Sequence, residues 1–337
     1  HLSLVMSYQV PMRLIGLAVF VALGLALAPL AAEAQQAAVP AVGFLSSASA
    51  EPFAPLVAAF RDGLKDAGYI EGRNVTIEFA WAVGRYDRLP ILAEGLVARK
   101  VAVIFANGGA VAALAAKAAT SAIPIVFAIG DDPVKFGLVS NLGHPEGNIT
   151  GVTLFMNVLT PKRLELLTEL VPRAPLTMLV NPQNPNAKTE TRDAREAASK
   201  TRRGLRILEA GNDDQIEAAF ATIAAQPGAA LMVTTDPFFY ARRDLIIELA
   251  ARHSVPTIYY YRGFALAGGL ISYGATITTE YRTAGLYTGR LLSGAKPSNL
   301  PIVQPTKVEL VINMKTAKAL NLTIPQSVLV RADEIIQ

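Results

Sequence analysis

The chain states one pattern twice, and that repetition constrains its fold more than any other feature. Residues 40–130 and 175–262 each read strand, loop, helix, strand, helix, strand, helix, strand. The run Arg73-Asn74-Val75-Thr76-Ile77-Glu78 aligns with Arg203-Gly204-Leu205-Arg206-Ile207-Leu208. Val103-Ile104-Phe105-Ala106-Asn107 aligns with Met232-Val233-Thr234-Thr235-Asp236, and Ile123-Pro124-Ile125-Val126-Phe127 with Val255-Pro256-Thr257-Ile258-Tyr259. The offset stays near 130 residues throughout. Short apolar strands alternating with single amphipathic helices predict parallel sheets covered on both faces. Two similar α/β lobes in one chain leave a cleft between them, with matching loops on its two walls.

The length of 337 residues gives each lobe room for its own core. With 52% hydrophobic and 17% charged residues the composition is that of a globular protein. The formal charge of +4 is mild, and its densest clusters are only Arg202-Arg203 and Arg242-Arg243. Scattered basic residues of this kind are solvated helix faces, and no nucleic-acid partner is expected. Near the amino terminus Met12-Arg13 precedes an apolar run over residues 14–30, and Ala32-Glu33-Ala34 is a small-x-small site before Gln35-Gln36. That layout predicts a secretory signal cut after Ala34, with residues 1–11 upstream of the true start. Cysteine is absent, which excludes disulfides, thiolate metal sites, a cysteine nucleophile and a lipid anchor on cysteine. The expected location is the periplasm, free of the membrane.

Residues 41–45 read as the first buried strand, ending in the polar turn Ser46-Ser47-Ala48-Ser49. Phe53, Leu56, Val57, Phe60 and Leu64 then recur at helical spacing up to Gly68. Lobe one is expected to comprise residues 38–154 plus 268–300, and lobe two residues 155–267 plus 305–337. The glycine-bracketed strand at 268–274 and the helix after it are read as the chain's return to lobe one. Three crossings between lobes make a hinge that bends without free shear.

In an open parallel sheet, ligands lie beyond the carboxyl ends of the strands. That rule selects Ser46-Ser47, Asn107-Gly108-Gly109 and Gly130-Asp131-Asp132 on one wall. On the other it selects Asn181-Pro182-Gln183-Asn184, Asp236-Pro237 and Tyr261-Arg262. Hydroxyls and free backbone N–H groups at Ser46, Ser47, Asn107, Gly108 and Gly109 suit an anion such as a carboxylate, although capping the next helix is the ordinary job of a Ser or Asn there. Asp236, leaving a buried strand, is placed to meet a ligand ammonium, with helix capping as its alternative. Phe238, Phe239 and Tyr240 beside it, and those of the row Tyr259-Tyr260-Tyr261 that face the cleft, Tyr261 among them, are the rings expected to stack on the ligand. Asn181 and Asn184 belong to the same wall, and Asp131 doubles as the opener of a turn at Pro133.

No catalytic constellation accompanies these loops. His1, His144 and His253 are the only histidines and lack ligand spacing, so neither a zinc site nor a Ser-His pair is supported. No nucleophile elbow, phosphate-binding loop or dinucleotide fingerprint occurs in the right context. The reading is a binder without metal or cofactor, not an enzyme.

Val42-Gly43-Phe44-Leu45-Ser46-Ser47, Phe60-Arg61-Asp62-Gly63-Leu64, Gly68-Tyr69-Ile70-Glu71-Gly72-Arg73-Asn74-Val75, Val180-Asn181-Pro182-Gln183-Asn184-Pro185-Asn186 and Ala267-Gly268-Gly269-Leu270-Ile271-Ser272-Tyr273-Gly274 carry a family resemblance. Over nearly all of residues 38–337 the chain resembles ABC-transporter substrate-binding proteins of the group that includes the tryptophan/tyrosine-binding TrpX-like proteins. The resemblance implies a type I periplasmic-binding fold: two doubly wound parallel-sheet lobes that close on a small solute, an amino acid or related carboxylate. It also implies a monomer that presents the solute to an ABC permease in the inner membrane. The ligand carboxylate is then expected on the Ser46-Ser47 and Asn107-Gly108 loops and the ammonium on Asp236. Many relatives have an acidic residue after the arginine where this chain has Arg262-Gly263-Phe264. A ligand-sensing receptor built on the same lobes is the alternative reading.

Overall fold

A computed structural model describes residues 39–305 and 307–337. The secretory segment expected over residues 1–34 lies outside the described residues. Lobe one starts with β1 (Ala41–Ser46) and α1 (Ala50–Asp66), then β2 (Thr76–Trp81), α2 (Leu89–Ala98), β3 (Val103–Asn107), α3 (Ala110–Ala119), β4 (Ile125–Ile129) and β5 (Ile149–Thr153). After a short turn of 3-10 helix, Met156–Leu159, come α4 (Thr160–Leu170), β6 (Leu176–Val180), α5 (Ala187–Lys200), β7 (Leu205–Glu209), α6 (Asp213–Ala224) and β8 (Ala230–Val233). These are followed by α7 (Pro237–Ala241), α8 (Arg243–Arg252), β9 (Thr257–Tyr259), α9 (Arg262–Leu266) and β10 (Ile271–Ala275). The chain ends with α10 (Ile277–Leu292), β11 (Val308–Asn313), α11 (Met314–Ala319), α12 (Gln326–Leu329) and β12 (Glu334–Ile336).

The strand order verifies the repeat. Lobe one is a parallel sheet ordered β2-β1-β3-β4-β5, and lobe two contains the same order, β7-β6-β8-β9-β10, extended by β11 and β12. β3 and β4 are buried at every position, as are β6 and β8, which explains why they read as unbroken apolar runs rather than alternating ones. β10 and β11 run antiparallel, so the second sheet is mixed rather than wholly parallel.

One boundary differs from the sequence reading. The strand expected to return to lobe one is the fifth strand of lobe two: β10 pairs parallel with β9, Ile271 opposite Ile258 and Ser272 opposite Tyr259. The duplication therefore runs one strand further than the sequence pattern displayed, with β10 the counterpart of β5. The glycines of this segment serve contact within lobe two. A Cβ on Gly274 would stand 1.8 Å from the Tyr260 carbonyl oxygen. The chain crosses back only after Ala275, and α10 packs on α1, tied at the surface by the Arg282–Asp66 ion pair. The last crossing follows Val303, which pairs with β5: the Thr153 N–H donates to the Val303 carbonyl at 2.9 Å. Three crossings thus join the lobes, at 154–156, 275–277 and 303–308.

Candidate ligand-binding cleft

Five of the six loops selected from the sequence contribute residues to one cavity at the carboxyl ends of the strands, while Ser46 and Ser47 stand outside its lining. From lobe one and its returning helix it is lined by Phe53, Leu56, Gly108, Gly109, Asp131, Ile277 and Tyr281, among others. From lobe two come Asn184, Thr235, Asp236, Pro237, Tyr240, Tyr260 and Tyr261, and Leu154 and Met156 of the first crossing close the floor. None of the lining residues is basic.

Asp236 follows β8 and stands at the start of α7, where its extended backbone makes it the helix cap: Oδ1 accepts from the Phe238 N–H at 2.7 Å. The capping role is therefore realised, and the same residue also lines the cavity. Oδ2 accepts from Asn184 Nδ2 at 2.8 Å, and Oδ1 also accepts from the Tyr86 hydroxyl of lobe one at 2.9 Å. Tyr260 donates its hydroxyl to the Asp236 carbonyl at 2.7 Å. Burial pushes the Asp236 carboxyl up, opposed by the hydrogen bonds from Asn184, Tyr86 and the Phe238 N–H.

Asp131 lies on the lobe-one wall, after β4, one strand over from the β3 loop that is the counterpart of the Asp236 loop. Its Oδ2 accepts from the Ala110 N–H at the start of α3 at 2.9 Å, and its Oδ1 from Asn157 Nδ2 at 2.7 Å. Burial raises its pKa to about 6, against those two hydrogen bonds and with a further contribution from the Asp236 charge. Two carboxyl groups, one per lobe, therefore face one cavity without a cationic side chain beside them. Each keeps acceptor capacity, since a carboxylate offers about four lone-pair positions.

Other expected contacts are placed differently. Ser46 and Ser47 are fully buried and do not line the cavity. Ser46 Oγ donates to Asn107 Oδ1 at 2.9 Å, and Ser47 Oγ donates to the Gly108 carbonyl. Asn107 is likewise enclosed: Oδ1 also accepts from the Tyr281 hydroxyl at 3.3 Å, and Nδ2 donates to the Leu45 carbonyl at 3.2 Å. The reason is geometric. These side chains sit between β1 and β3, where they brace the loop so that the Gly108-Gly109 backbone, and not the hydroxyls, faces the cavity. Gly108 has φ +81° and Gly109 φ +94°, and a Cβ on Gly108 would lie 2.5 Å from Ser47 Oγ. Only glycine fits that braced turn.

Asn181 is also buried away from the cavity, its Oδ1 accepting from the Gln183 N–H at 3.0 Å to close the turn that carries Asn184. Phe238 packs under the Arg242 guanidinium, 4.8 Å from its ring centroid, and not on the cavity. The ring that lines it is Tyr240, in T-shaped contact with Phe53 across the lobes at 5.4 Å and with Tyr261 at 5.1 Å. Tyr260 and Tyr261 both reach the cavity because β9 ends at Tyr259 and strand alternation ends with it. Tyr259 itself stacks on Phe264 in the core at 4.5 Å.

Sequence reasoning missed Phe53 and Leu56, which carry the same spacing as the core face of α1, and Met156, Ile277 and Tyr281, which sit at the crossings. A search of strand ends alone does not reach the crossings. The polar turn before α1 and the position of α10 after Ala275 are the signals that lead there. Among the described residues no cluster of three His, Cys, Asp or Glu side chains is placed to hold a metal, and no helix is long and apolar enough to cross a membrane.

Comparison with known proteins places this geometry. The profile of a family described as ABC transporter substrate binding protein matches residues 45–336. A protein of Clostridioides difficile (strain R20291) named tyrosine-binding protein is 27% identical over 270 residues, covering 78% of this chain and 75% of its own. A conserved domain protein from Vibrio cholerae superposes with a TM-score of 0.79 at 25% identity, covering 88% of this chain and 99% of the other. An ABC domain from Streptococcus pneumoniae in complex with L-Trp gives 0.77 at 24%, with the same coverages. These neighbours share the type I periplasmic-binding arrangement of two α/β lobes.

Proposed function

The chain belongs to the ABC transporter substrate-binding protein family, and we propose that it captures an aromatic amino acid in the interlobe cleft and delivers it to a membrane permease. The observation that carries this reading is the pair Asp131 and Asp236, one from each lobe, lining a cavity with tyrosine rings and no basic side chain. A carboxylate held in such a place is poorly solvated and gains most from a ligand ammonium that it meets when water is excluded. The rings of Phe53, Tyr240, Tyr260 and Tyr261 supply apolar faces for the ligand body. The ligand carboxylate then falls to the Gly108-Gly109 backbone at the start of α3, where N–H groups and the helix dipole favour an anion. Relatives named for tyrosine and crystallised with L-Trp agree with that chemistry.

Ligand contacts on both walls favour the closed arrangement, and the permease recognises that arrangement by population shift. Moving such an equilibrium from mostly open to mostly closed takes about 5 kcal/mol of differential affinity. The protein works outside the inner membrane, in the periplasm, as a monomer without cofactor and without turnover of its solute. Calorimetric titration with L-tyrosine and L-tryptophan tests the reading: at least one of them binds the wild-type protein, and Asp236→Asn loses that binding. An Asp236→Asn variant with unchanged affinity removes the carboxylate from the site.

A further inference from the structure

Directly behind the cleft lies an ion pair that ligand contact leaves unexplained. Arg163 of α4 is fully buried, and its partner Glu190 of α5 is 2% exposed. A single nitrogen, Arg163 Nη2, makes every hydrogen bond of the group. Its two N–H groups are shared among four acceptors, the Met156 carbonyl at 2.9 Å, Thr160 Oγ1 at 2.9 Å, Glu190 Oε1 at 3.2 Å and Thr235 Oγ1 at 3.2 Å. Arg163 Nε and Nη1 have no partner. Unsatisfied buried donors on a charged group destabilise a fold, and well-packed apolar residues commonly replace such a pair without loss. Stability is therefore a poor reason for Arg163, and the reach of its one satisfied nitrogen is a better one.

That nitrogen joins the hinge to the ligand wall. Met156 belongs to the first crossing and lines the cavity. Its N–H donates to the Gly130 carbonyl of lobe one at 2.8 Å, and its Sδ accepts from the Ala275 N–H, at the second crossing, at 3.2 Å. Thr235 lines the cavity immediately before Asp236, and its N–H donates to Glu190 Oε1 at 3.2 Å. Next to Met156, Asn157 holds Asp131 on the opposite wall. Phe155, which leads into this hub, has φ +44°, a left-handed conformation that a bulky residue adopts only when its surroundings impose it.

We propose that Arg163, anchored by Glu190, is a positioning residue that locks the first interlobe crossing to the Thr235–Asp236 wall, so that wall and hinge move as one body. A ligand seated on that wall then turns the lobe instead of merely displacing a loop. The proposal rests on the cleft-closing reading above, and its test is read without ligand so that the two fail separately.

The chain has no cysteine, so Glu94→Cys on α2 and Glu217→Cys on α6, both exposed, take spin labels selectively. Pulsed electron resonance on the ligand-free, doubly labelled protein gives the distribution of lobe separations. Arg163→Met with Glu190→Met removes both charges together and leaves no buried ion unpaired. Its melting temperature is expected within about 3 °C of the parent, while its distribution of separations broadens about twofold. Should that double variant not fold, Thr235→Val, which deletes only the hydroxyl that Arg163 holds, is expected to broaden the distribution as well. A parent-like distribution in whichever variant folds overturns the proposal. Titration of the labelled parent with L-tyrosine and L-tryptophan accompanies the experiment: binding of neither counts against the proposed ligand, while the ligand-free distances alone decide the role of Arg163.

Discussion

The two walls of the cleft descend from one repeated pattern yet line the cavity by different means. On lobe one, the polar side chains of the loops after β1 and β3 face inward: Ser46, Ser47 and Asn107 bond to one another and to backbone, and what they present is the bare chain of Gly108-Gly109. On lobe two, the equivalent loops after β6 and β8 present side chains, Asn184 and Asp236, and the loop after β9 adds Tyr260 and Tyr261. A backbone surface fixes the position of an anion with little side-chain vocabulary, whereas a side-chain surface sets charge and shape. On the proposed reading, ligand identity belongs chiefly to lobe two, with Asp131 as the one charged contribution from lobe one.

Substitutions on the two walls should therefore differ in kind. The largest effect belongs to Asp236→Asn, which keeps the cap and the volume but removes the charge. Affinity for the amino acid should fall by about 100-fold or more, since losing one member of a buried charged pair costs ~2–5 kcal/mol, as titration calorimetry will read. Gly108→Ala should act through the fold: the added Cβ meets Ser47 Oγ at a positive φ, so thermal unfolding should show a loss of more than ~1 kcal/mol, with affinity falling alongside.

Acidity gives the next effect in size and has two opposite signs. Burial raises the native pKa of Asp131 to about 6, above its unfolded value, and shifts Glu190 and Asp236 in the same direction. Protonation therefore favours the ligand-free native state. That stabilisation is complete below the ordinary carboxylate range near 4 and is lost as pH rises through about 6. Ligand binding runs the other way, because an ammonium needs the charged carboxylates. Affinity should drop by about tenfold between pH 7.5 and 5.5, while the melting temperature of ligand-free protein rises over the same interval.

Smaller changes sharpen the contrast. Tyr260→Phe deletes the bond to the Asp236 carbonyl and should weaken binding by about fivefold, the effect of one hydrogen bond of ~1 kcal/mol. Ser46→Ala should lower stability by ~1 kcal/mol while leaving affinity within about threefold. An affinity loss for Ser46→Ala as large as that for Asp236→Asn would return the hydroxyl to the ligand and erase the distinction between the walls.

The sequence made legible what repeats and what ends a strand. The apolar runs of β1, β3, β4, β6 and β8, the glycine turn at 108–109 and the acid after β8 all stand where their local chemistry put them. Less legible was anything decided by contact between distant segments. Whether Ser46 faces a ligand or Asn107 depends on the spacing of β1 and β3, and no local pattern encodes it. The glycines at 268–274 looked like a bend toward lobe one, and only pairing of β10 with β9 shows why they are needed within lobe two. Met156 and Arg163 carried no sequence signal at all. An apolar residue in a crossing and a basic residue in an amphipathic helix look ordinary until burial and hydrogen bonds place them.

The proposed capture of an amino acid rests on an ammonium held between acids of opposite lobes, and calorimetry with matched ligands isolates that one group. L-tyrosine or L-tryptophan is expected to bind the wild-type protein, and the corresponding deaminated acids, identical except for the missing ammonium, are expected to give no measurable heat. Equal affinity for the amino acid and its deaminated counterpart would contradict a site built around that ammonium.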